Sequence, residues 1–127
     1  MRQEVMELLE EQGLAHLKDE IASSLPYGLQ RRLEIARALA SDPKLLLLDE
    51  PAAGMNSTEK MELNERIRAM IKMGVTVLIV EHDMAMVMSI ADKIYVISSG
   101  KNLADGTAEE IANNQDVIEA YLGRGDF

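Results

Sequence analysis

Two short apolar runs, each ending in acidic residues, constrain the fold of this chain more than any other feature. Leu45–Leu48 is followed by Asp49 and Glu50, and Val75–Val80 is also followed by an acid. Such runs are typical of strands buried on both faces of a parallel sheet, although four residues alone do not separate a strand from a helix. The β-branched content of the second run favours a strand. Because residues 58–73 between the runs have helical spacing, we expect an α/β fold with a mainly parallel sheet.

The other elements follow from apolar spacing and from cap residues. Asn56 with Glu59, and Thr107 with Glu110, have the spacing of capping boxes, and Asp83 can cap a further helix. We therefore predict helices over 3–12, 28–40, 58–73, 83–91, 108–113 and 116–122, a short amphipathic segment at 14–24, and a strand at 94–97 that turns at Ser99-Gly100 into a hairpin partner at 102–105. In the first helix one stripe holds Val5, Leu8, Leu9 and Gln12, and in the segment 14–24 helical spacing relates Leu14, Leu17 and Ile21. The expected buried side chains of the next two helices are Leu29, Leu33, Ala36, Ala40, Leu63, Ile67, Met70 and Ile71.

Size and charge limit the class of protein. The 127 residues suffice for a hydrophobic core, and 13 basic against 22 acidic residues give a net charge of −9. An acidic chain is repelled by nucleic acid and by anionic lipid, so we expect neither as a partner. Cysteine is absent, which excludes disulfides and thiolate metal sites. The apolar runs are too short to cross a bilayer, and the first residues carry no apolar signal segment, so we expect a cytoplasmic protein.

Asp49 and Glu50 lie where a strand of an open α/β sheet ends, which is the edge at which ligands of such sheets bind. Adjacent strand residues point to opposite faces, so the two carboxylates are expected to differ in role. One can hold Mg²⁺ through water, and the other can orient or deprotonate an attacking water. The alternative, that two acids merely solvate the end of a strand, is the commoner explanation for such a pair taken alone.

Two further features permit phosphate contacts. His82 follows the second apolar run, where a neutral imidazole can bond a phosphate oxygen or a water, or can be a loop residue without a role. A helix that opens near Gly28 offers free N–H groups to an anion, and Arg31 and Arg32 add positive charge. An ordinary helix start with solvated arginines explains the same pattern.

The order of these segments resembles the ATP-binding subunits of ABC transporters. LPYGLQRRLEIARALASDPKLLLLDEPAAGMN is similar to the ABC signature motif, the Walker B strand and the D-loop, and VTVLIVEHDM is similar to the strand that carries the switch histidine. IYVISSGKNLADGTAEEI resembles the strand pair and helix that follow. The resemblance covers residues 3–122 and is greatest to importers of branched-chain amino acids.

The resemblance implies roles for individual residues. Asp49 would bind Mg²⁺ through water, Glu50 would be the general base or the carboxylate that positions the attacking water, and His82 would contact the γ-phosphate of ATP. Residues 1–43 would end the helical subdomain of a P-loop NTPase fold, and residues 44–127 would form the C-terminal half of its ATPase core. A second ATP-binding subunit, or self-association, and a membrane permease are the implied partners, with the protein peripheral to the cytoplasmic membrane. The signature residues that would press on ATP of the opposite subunit are Leu25, Pro26, Tyr27, Gly28, Leu29 and Gln30, and the D-loop residues at the dimer interface are Gly54, Met55 and Asn56.

The sequence departs from the family pattern in two ways. In the commonest signature, Leu-Ser-Gly-Gly-Gln, the serine place is Pro26 here, the first glycine Tyr27 and the glutamine Leu29, so a phosphate contact is lost. In addition, no GxxxxGK[ST] phosphate loop occurs in residues 1–127. Since that loop supplies most of the affinity for a triphosphate, we expect this polypeptide alone neither to bind nor to hydrolyse ATP.

In the family, the strand before the phosphate loop is central, between the strands that match Val75–Val80 and Ile94–Ile97. Without it, we expect a gap with exposed edges and therefore an oligomer or a rearranged sheet. The rival hypothesis to an ATPase half is a non-catalytic interaction or dimerisation module derived from such a subunit.

Overall fold

A computed structural model describes residues 1–122 of the chain, and the last five residues of the predicted 44–127 segment lie outside that range. The chain forms two compact units, residues 1–81 and a second that begins at His82. The predicted α/β class is confirmed, while the predicted division at residues 43 and 44 stays a prediction. The elements are α1 (Arg2–Glu11), α2 (Tyr27–Leu39), β1 (Leu45–Asp49), α3 (Ser57–Lys72), β2 (Thr76–Val80), α4 (Met84–Ile90), β3 (Ile94–Ser98), β4 (Lys101–Gly106), α5 (Ala108–Ala112) and α6 (Gln115–Leu122).

The first unit contains the predicted strand–helix–strand segment. β1 and β2 pair in parallel, with Leu45 opposite Thr76 and Asp49 opposite Val80, and α3 packs against β2. The expectation that both strand faces are buried is wrong for β1, because Leu46 is 5% exposed whereas Leu47 is 65% exposed. Alternate side chains point to opposite faces, so a helix on one face leaves the other uncovered. The uncovered apolar side chains of the two strands are Leu45, Leu47, Leu78 and Val80.

The helical stripes of the first unit agree with the sequence only in part. Residues 14–24 form no regular amphipathic helix but contain two short 3₁₀ turns, so helical spacing does not apply and Ile21 is 72% exposed. Ala40 is exposed because it caps α2 instead of lying inside it. Ile71, in the last turn of α3, is also exposed. Ile35 is buried in α2 and was not predicted.

The second unit is built on the predicted hairpin. β3 and β4 pair antiparallel with an irregular register between Val96 and Ile97. Ser99 and Gly100, the two residues that join the strands, have φ values of 50° and 74°, as a type I′ hairpin turn requires. The buried core of the second unit is formed by Ile94, Val96, Ile111 and Val117.

Among residues 1–122, the strands form two separate two-stranded sheets, β1 with β2 and β3 with β4. No helix in this part of the chain is long and apolar enough to span a membrane.

Candidate functional site

The first part of the candidate site is the turn that follows β1. Asp49 is the exposed last residue of β1, and Glu50 has a φ of 46°. A non-glycine residue in this left-handed region costs about 1–3 kcal/mol, so the surrounding contacts must hold it there. One such contact is the bond from the Glu50 N–H to the Val80 carbonyl, at 2.8 Å. The two predicted acids therefore leave the sheet at a constrained bend at its carboxyl edge.

Glu81 supports the same turn and was missed by the sequence reasoning. Its Oε1 accepts a hydrogen bond of 2.9 Å from the N–H of Ala52, a residue that is 4% exposed. The signal was present, because Glu81 directly follows β2 and the carboxyl ends of parallel strands meet at one edge. The carboxylate thus gives a buried backbone donor its acceptor two residues after Glu50.

The predicted D-loop is a tight turn that leads into α3. The Met55 N–H donates to the Ala52 carbonyl at 3.1 Å, and Gly54 has a φ of 75°, which favours glycine. Asn56 Oδ1 accepts from the Glu59 N–H, and Glu59 Oε2 accepts from the Asn56 N–H, each at 2.9 Å. The predicted capping box is therefore confirmed, and it anchors the end of the D-loop to α3.

The predicted signature stretch surrounds the start of α2. Pro26 is the N-cap, so the helix opens at Tyr27, one residue before the expected Gly28. The Leu29 N–H is bonded to the Pro26 carbonyl at 3.0 Å, and Gln30 Nε2 donates to the Leu25 carbonyl at 2.8 Å. The Gln30 side chain thus stabilises the loop that precedes its own helix.

The signature stretch and the D-loop are in contact within the first unit. A Cβ placed on Gly54 would lie 3.5 Å from Tyr27 Cε1, so the tyrosine ring faces Gly54 with room for about one methyl group between them. A Cβ placed on Gly28 would lie 3.5 Å from Glu59 Oε1. Two segments that are separate in the sequence therefore form one local structure.

A small cleft, open to solvent, lies between α2 and α3 and is lined by Pro26, Gly28, Met55, Glu59, Arg32 and Arg66 among others. Arg32 pairs with Glu62 across the two helices. Arg66 Nη1 donates to the Glu11 carbonyl at 2.7 Å, so it ties the end of α1 to α3. Burial, and after it the positive charge of Arg32, lowers the pKa of Arg66, while Glu62 opposes the shift. The cleft carries both charge signs and is bounded by the predicted signature and D-loop residues.

Asp49 fits a water-mediated magnesium ligand but does not form a complete metal site. Within residues 1–122, no group of three or more His, Asp or Glu residues could hold a metal ion. Magnesium usually keeps several waters and is bound by one or two carboxylates together with substrate phosphates, so a single exposed carboxylate is compatible with that chemistry. Residues 1–127 contain no phosphate loop, so other groups would have to hold the phosphates.

His82 is exposed and is the first residue of the second unit. It directly precedes Asp83, whose Oδ1 accepts from the Met86 N–H at 3.1 Å and caps α4 as predicted. The histidine thus lies between an acid that supports the turn of the first unit and an acid that caps a helix of the second.

Two family descriptions match the sequence. Residues 1–53 match "ABC transporter", and residues 101–126 match "Branched-chain amino acid ATP-binding cassette transporter". The chain belongs to the ABC transporter ATP-binding family. The predicted resemblance to its branched-chain amino-acid type is confirmed.

Individual relatives agree with this assignment. The chain is 53% identical over 116 residues to the high-affinity branched-chain amino acid transport ATP-binding protein LivG of Salmonella typhimurium. The matched region covers 91% of this chain and 46% of that relative. It is 37% identical over 122 residues to the lipopolysaccharide export system ATP-binding protein LptB of Haemophilus influenzae, covering 96% of the chain and 51% of that relative. The chain thus spans about half the length of the curated relatives it matches.

Among solved structures, the chain is similar to the ADP conformation of MJ1267, an ATP-binding cassette of an ABC transporter. The TM-score is 0.87 with 30% sequence identity, and the match covers 95% of this chain and 49% of that one. The fold predicted for a partial P-loop NTPase core is therefore confirmed.

Proposed function

We propose that these residues supply the C-terminal half of the ATP-hydrolysing subunit of an ABC importer for branched-chain amino acids. In the complete subunit, ATP and Mg²⁺ are bound by other residues together with Asp49, which holds Mg²⁺ through water. Glu50 is the general base or water-positioning group, and His82 contacts the γ-phosphate. Leu25–Gln30 face ATP of a second subunit, and Gly54–Asn56 lie at the interface with it.

The constrained turn after β1 is the observation that carries this proposal. Asp49 ends a parallel strand, and Glu50 takes a left-handed conformation held by β2. Strained residues persist where the surroundings over-determine them, and they cluster at functional sites. Two acids that merely solvated the end of a strand would not need such a bend. The geometry therefore favours a catalytic role for these acids over simple solvation of the strand end.

The difference in identity between relatives supports the choice of solute. The chain is 53% identical to a protein named for branched-chain amino acid transport and 37% identical to one named for lipopolysaccharide export. Since solute choice in such systems is made with a membrane permease, we propose a permease as the partner, with this subunit on the cytoplasmic side of the membrane. The signature is expected to bind ATP more weakly than the commonest form, because Pro26 offers neither a hydroxyl nor an N–H.

A chimera tests the proposal. Residues 1–127 are joined to the N-terminal half of the Salmonella typhimurium relative, and ATP binding with Mg²⁺ is measured by calorimetry beside residues 1–127 alone. We expect binding and turnover by the chimera and no heat from the shorter polypeptide. In the chimera, Glu50→Gln should lower the hydrolysis rate by about 10²–10⁴-fold, the usual contribution of a general base, while ATP binding persists.

Glu20→Gln is the matched control, since Glu20 is an exposed acid of the same unit outside the turn. It should leave the rate unchanged. Equal rates in the Glu50→Gln and Glu20→Gln chimeras would contradict the catalytic role of Glu50. ATP binding by residues 1–127 alone would contradict the expectation that the phosphate loop is indispensable.

The second candidate is an interaction module, and the uncovered strand face favours it. Leu45, Leu47 and Leu78 are each more than half exposed on a two-stranded sheet, which is only marginally stable by itself. Exposed apolar strands of this kind recruit another chain. In this reading, residues 1–127 self-associate or dock on a partner without hydrolysing ATP.

Sedimentation velocity over a range of concentrations tests the second candidate. Residues 1–127 should form dimers or larger species at micromolar concentration, and Leu47→Gln should shift the population toward monomer. Met61→Gln is the control, because Met61 is 69% exposed on α3, away from the strands. A well-folded monomer at all concentrations would exclude self-association through this face.

A further inference from the structure

We propose that Tyr27 and Glu59 are positioning residues that lock the signature stretch to the D-loop, so that the two segments behave as one rigid element. The proposal takes its meaning from the proposed function, in which these segments act on ATP and on a second subunit. It requires only contacts inside the first unit. It also gives a physical role to a residue that departs from the commonest signature.

The first link is the contact between Tyr27 and Gly54. A Cβ placed on Gly54 would lie 3.5 Å from Tyr27 Cε1 and 3.6 Å from Tyr27 Cδ1. Both distances are those of ordinary van der Waals contact with such a Cβ. A Cβ would still fit there, so the ring faces Gly54 across about the width of a methyl group, and the φ of 75° favours glycine at this position. The ring therefore restricts the part of the D-loop that has the greatest backbone freedom.

The tyrosine is in turn held by its own helix. Arg31 Nε donates to Tyr27 Oη at 2.9 Å, and Arg31 Nη1 pairs with Glu34 Oε2 at 3.0 Å. The guanidinium carbon of Arg31 lies 5.2 Å from the centre of the tyrosine ring, within cation–π range. The bond that Arg31 donates to Tyr27 is the largest cause of a raised pKa of Arg31, which burial partly opposes. Because residues spaced three and four apart share one helix face, this chain of contacts follows α2 and fixes the ring orientation.

The second link is the Glu59 carboxylate. Its Oε2 accepts from the Asn56 N–H of the D-loop, while its Oε1 lies 3.5 Å from the place of a Cβ on Gly28. One carboxylate, carried by α3, thus bonds the D-loop at Asn56 and faces the signature stretch at Gly28. A glycine at position 27, as in the commonest signature, could make neither the ring contact nor the bond to Arg31, so this tyrosine creates a link that such a signature lacks.

Hydrogen exchange measured by NMR on residues 1–127 tests the lock. The reporters are the amides of Met55 and Asn56, which donate to the Ala52 carbonyl and to Glu59 Oε2. Tyr27→Ala should speed their exchange about tenfold, because local opening no longer breaks the ring contact. Tyr27→Phe keeps the ring and should remain within about twofold of the parent. The α-proton resonances of Gly54, shifted by the ring, should move in Tyr27→Ala and stay in Tyr27→Phe.

Tyr95→Ala is the matched control, since Tyr95 is 59% exposed in the second unit and also lies beside a cation, with Lys93 Nζ 4.8 Å from its ring centre. It should leave both reporter amides unchanged. Glu59→Ala should speed exchange at Asn56, and Glu59→Gln, which keeps an acceptor oxygen, should restore protection.

Three outcomes would overturn the lock. The first is that exchange of Met55 and Asn56 is unchanged in Tyr27→Ala. The second is that the core amide of Ile67 accelerates equally in Tyr27→Ala, which would indicate general destabilisation. The third is that Tyr27→Phe behaves like Tyr27→Ala. None of these measurements depends on ATP. A chimera that fails to bind ATP would therefore contradict the proposed function and leave the lock untouched, and the reverse also holds.

Discussion

The two units of this chain achieve strand pairing in opposite ways. In the second unit, β3 and β4 are joined by two residues with left-handed backbones, and the hairpin can form from local interactions. In the first unit, β1 and β2 pair in parallel across the whole of α3. Parallel pairing needs a long crossover, so it depends on contacts between distant residues. The candidate residues other than His82 occur in the unit whose strand pairing is non-local.

The same contrast appears in the carboxylates around His82. Glu81 accepts a hydrogen bond from Ala52, 29 positions away in the chain, whereas Asp83 accepts from Met86, three positions away. The first acid closes a turn that tertiary structure creates, and the second caps the helix that follows it. Residues of similar chemistry, two positions apart, thus have a non-local and a local function.

The largest expected effect on stability comes from truncating one buried side chain in the core of each unit. Ile67 and Ile111 are both 1% exposed, the first in α3 and the second in α5. Ile67→Ala and Ile111→Ala should each lower the free energy of unfolding by about 2–5 kcal/mol, measured in urea, because each leaves a cavity among packed side chains. Hydrogen exchange should then accelerate mainly in the unit that carries the substitution. Equal loss of protection in both units would break the comparison between them.

A smaller effect should separate the two acids. Glu81→Ala leaves the buried N–H of Ala52 without this acceptor, which should cost about 1–3 kcal/mol. Asp83→Ala removes a helix cap, with an expected cost of about 1 kcal/mol. Exchange of the Ala52 amide should respond only to the first substitution and exchange of the Met86 amide only to the second. Glu81→Gln and Asp83→Asn keep an acceptor oxygen and are the controls. If either alanine substitution accelerated exchange of both amides, the two acids would not have separate roles.

The smallest effect should distinguish the two predicted capping boxes. The Asn56–Glu59 box is reciprocal, whereas the Thr107 hydroxyl accepts from the Glu110 N–H and donates to the Glu110 carboxylate, each at 3.2 Å. Asn56→Ala should therefore cost more than Thr107→Ala, with both near about 1 kcal/mol in urea unfolding. The conservative Asn56→Asp and Thr107→Ser should be nearly neutral. A larger loss from Thr107→Ala would contradict this order.

Much of the fold could be predicted because its signals are local. Helix starts at Asn56, Asp83 and Thr107 and the turn at Ser99-Gly100 depend on side chains within a few residues of the backbone groups that they affect. The pairing of β1 with β2 was predictable from two apolar runs around a helical segment. The α/β class and the family followed from the order of such segments.

The errors concern which faces are covered. Leu47 and Ile71 were expected to be buried and are exposed, while Ile35 was not predicted and is buried. An apolar side chain gives the same signal in a sequence whether or not a neighbouring element covers it, because burial depends on where that element lies. Ile21 was misassigned for a different reason, since the turns around it break the helical period.

By itself, the sequence determined the family, most of the elements, the caps and the choice of Asp49, Glu50 and His82 as candidate residues, because spacing along the chain carries that information. Only the tertiary structure decided that Glu81 closes the turn after Glu50 and that Tyr27 faces Gly54. The physical reason is that a carboxylate can accept from any amide that the fold brings within about 3 Å, and a ring neighbours whichever segment the fold places beside it. The sequence contains the groups, and the packing of α2, α3 and the strand edge selects their partners.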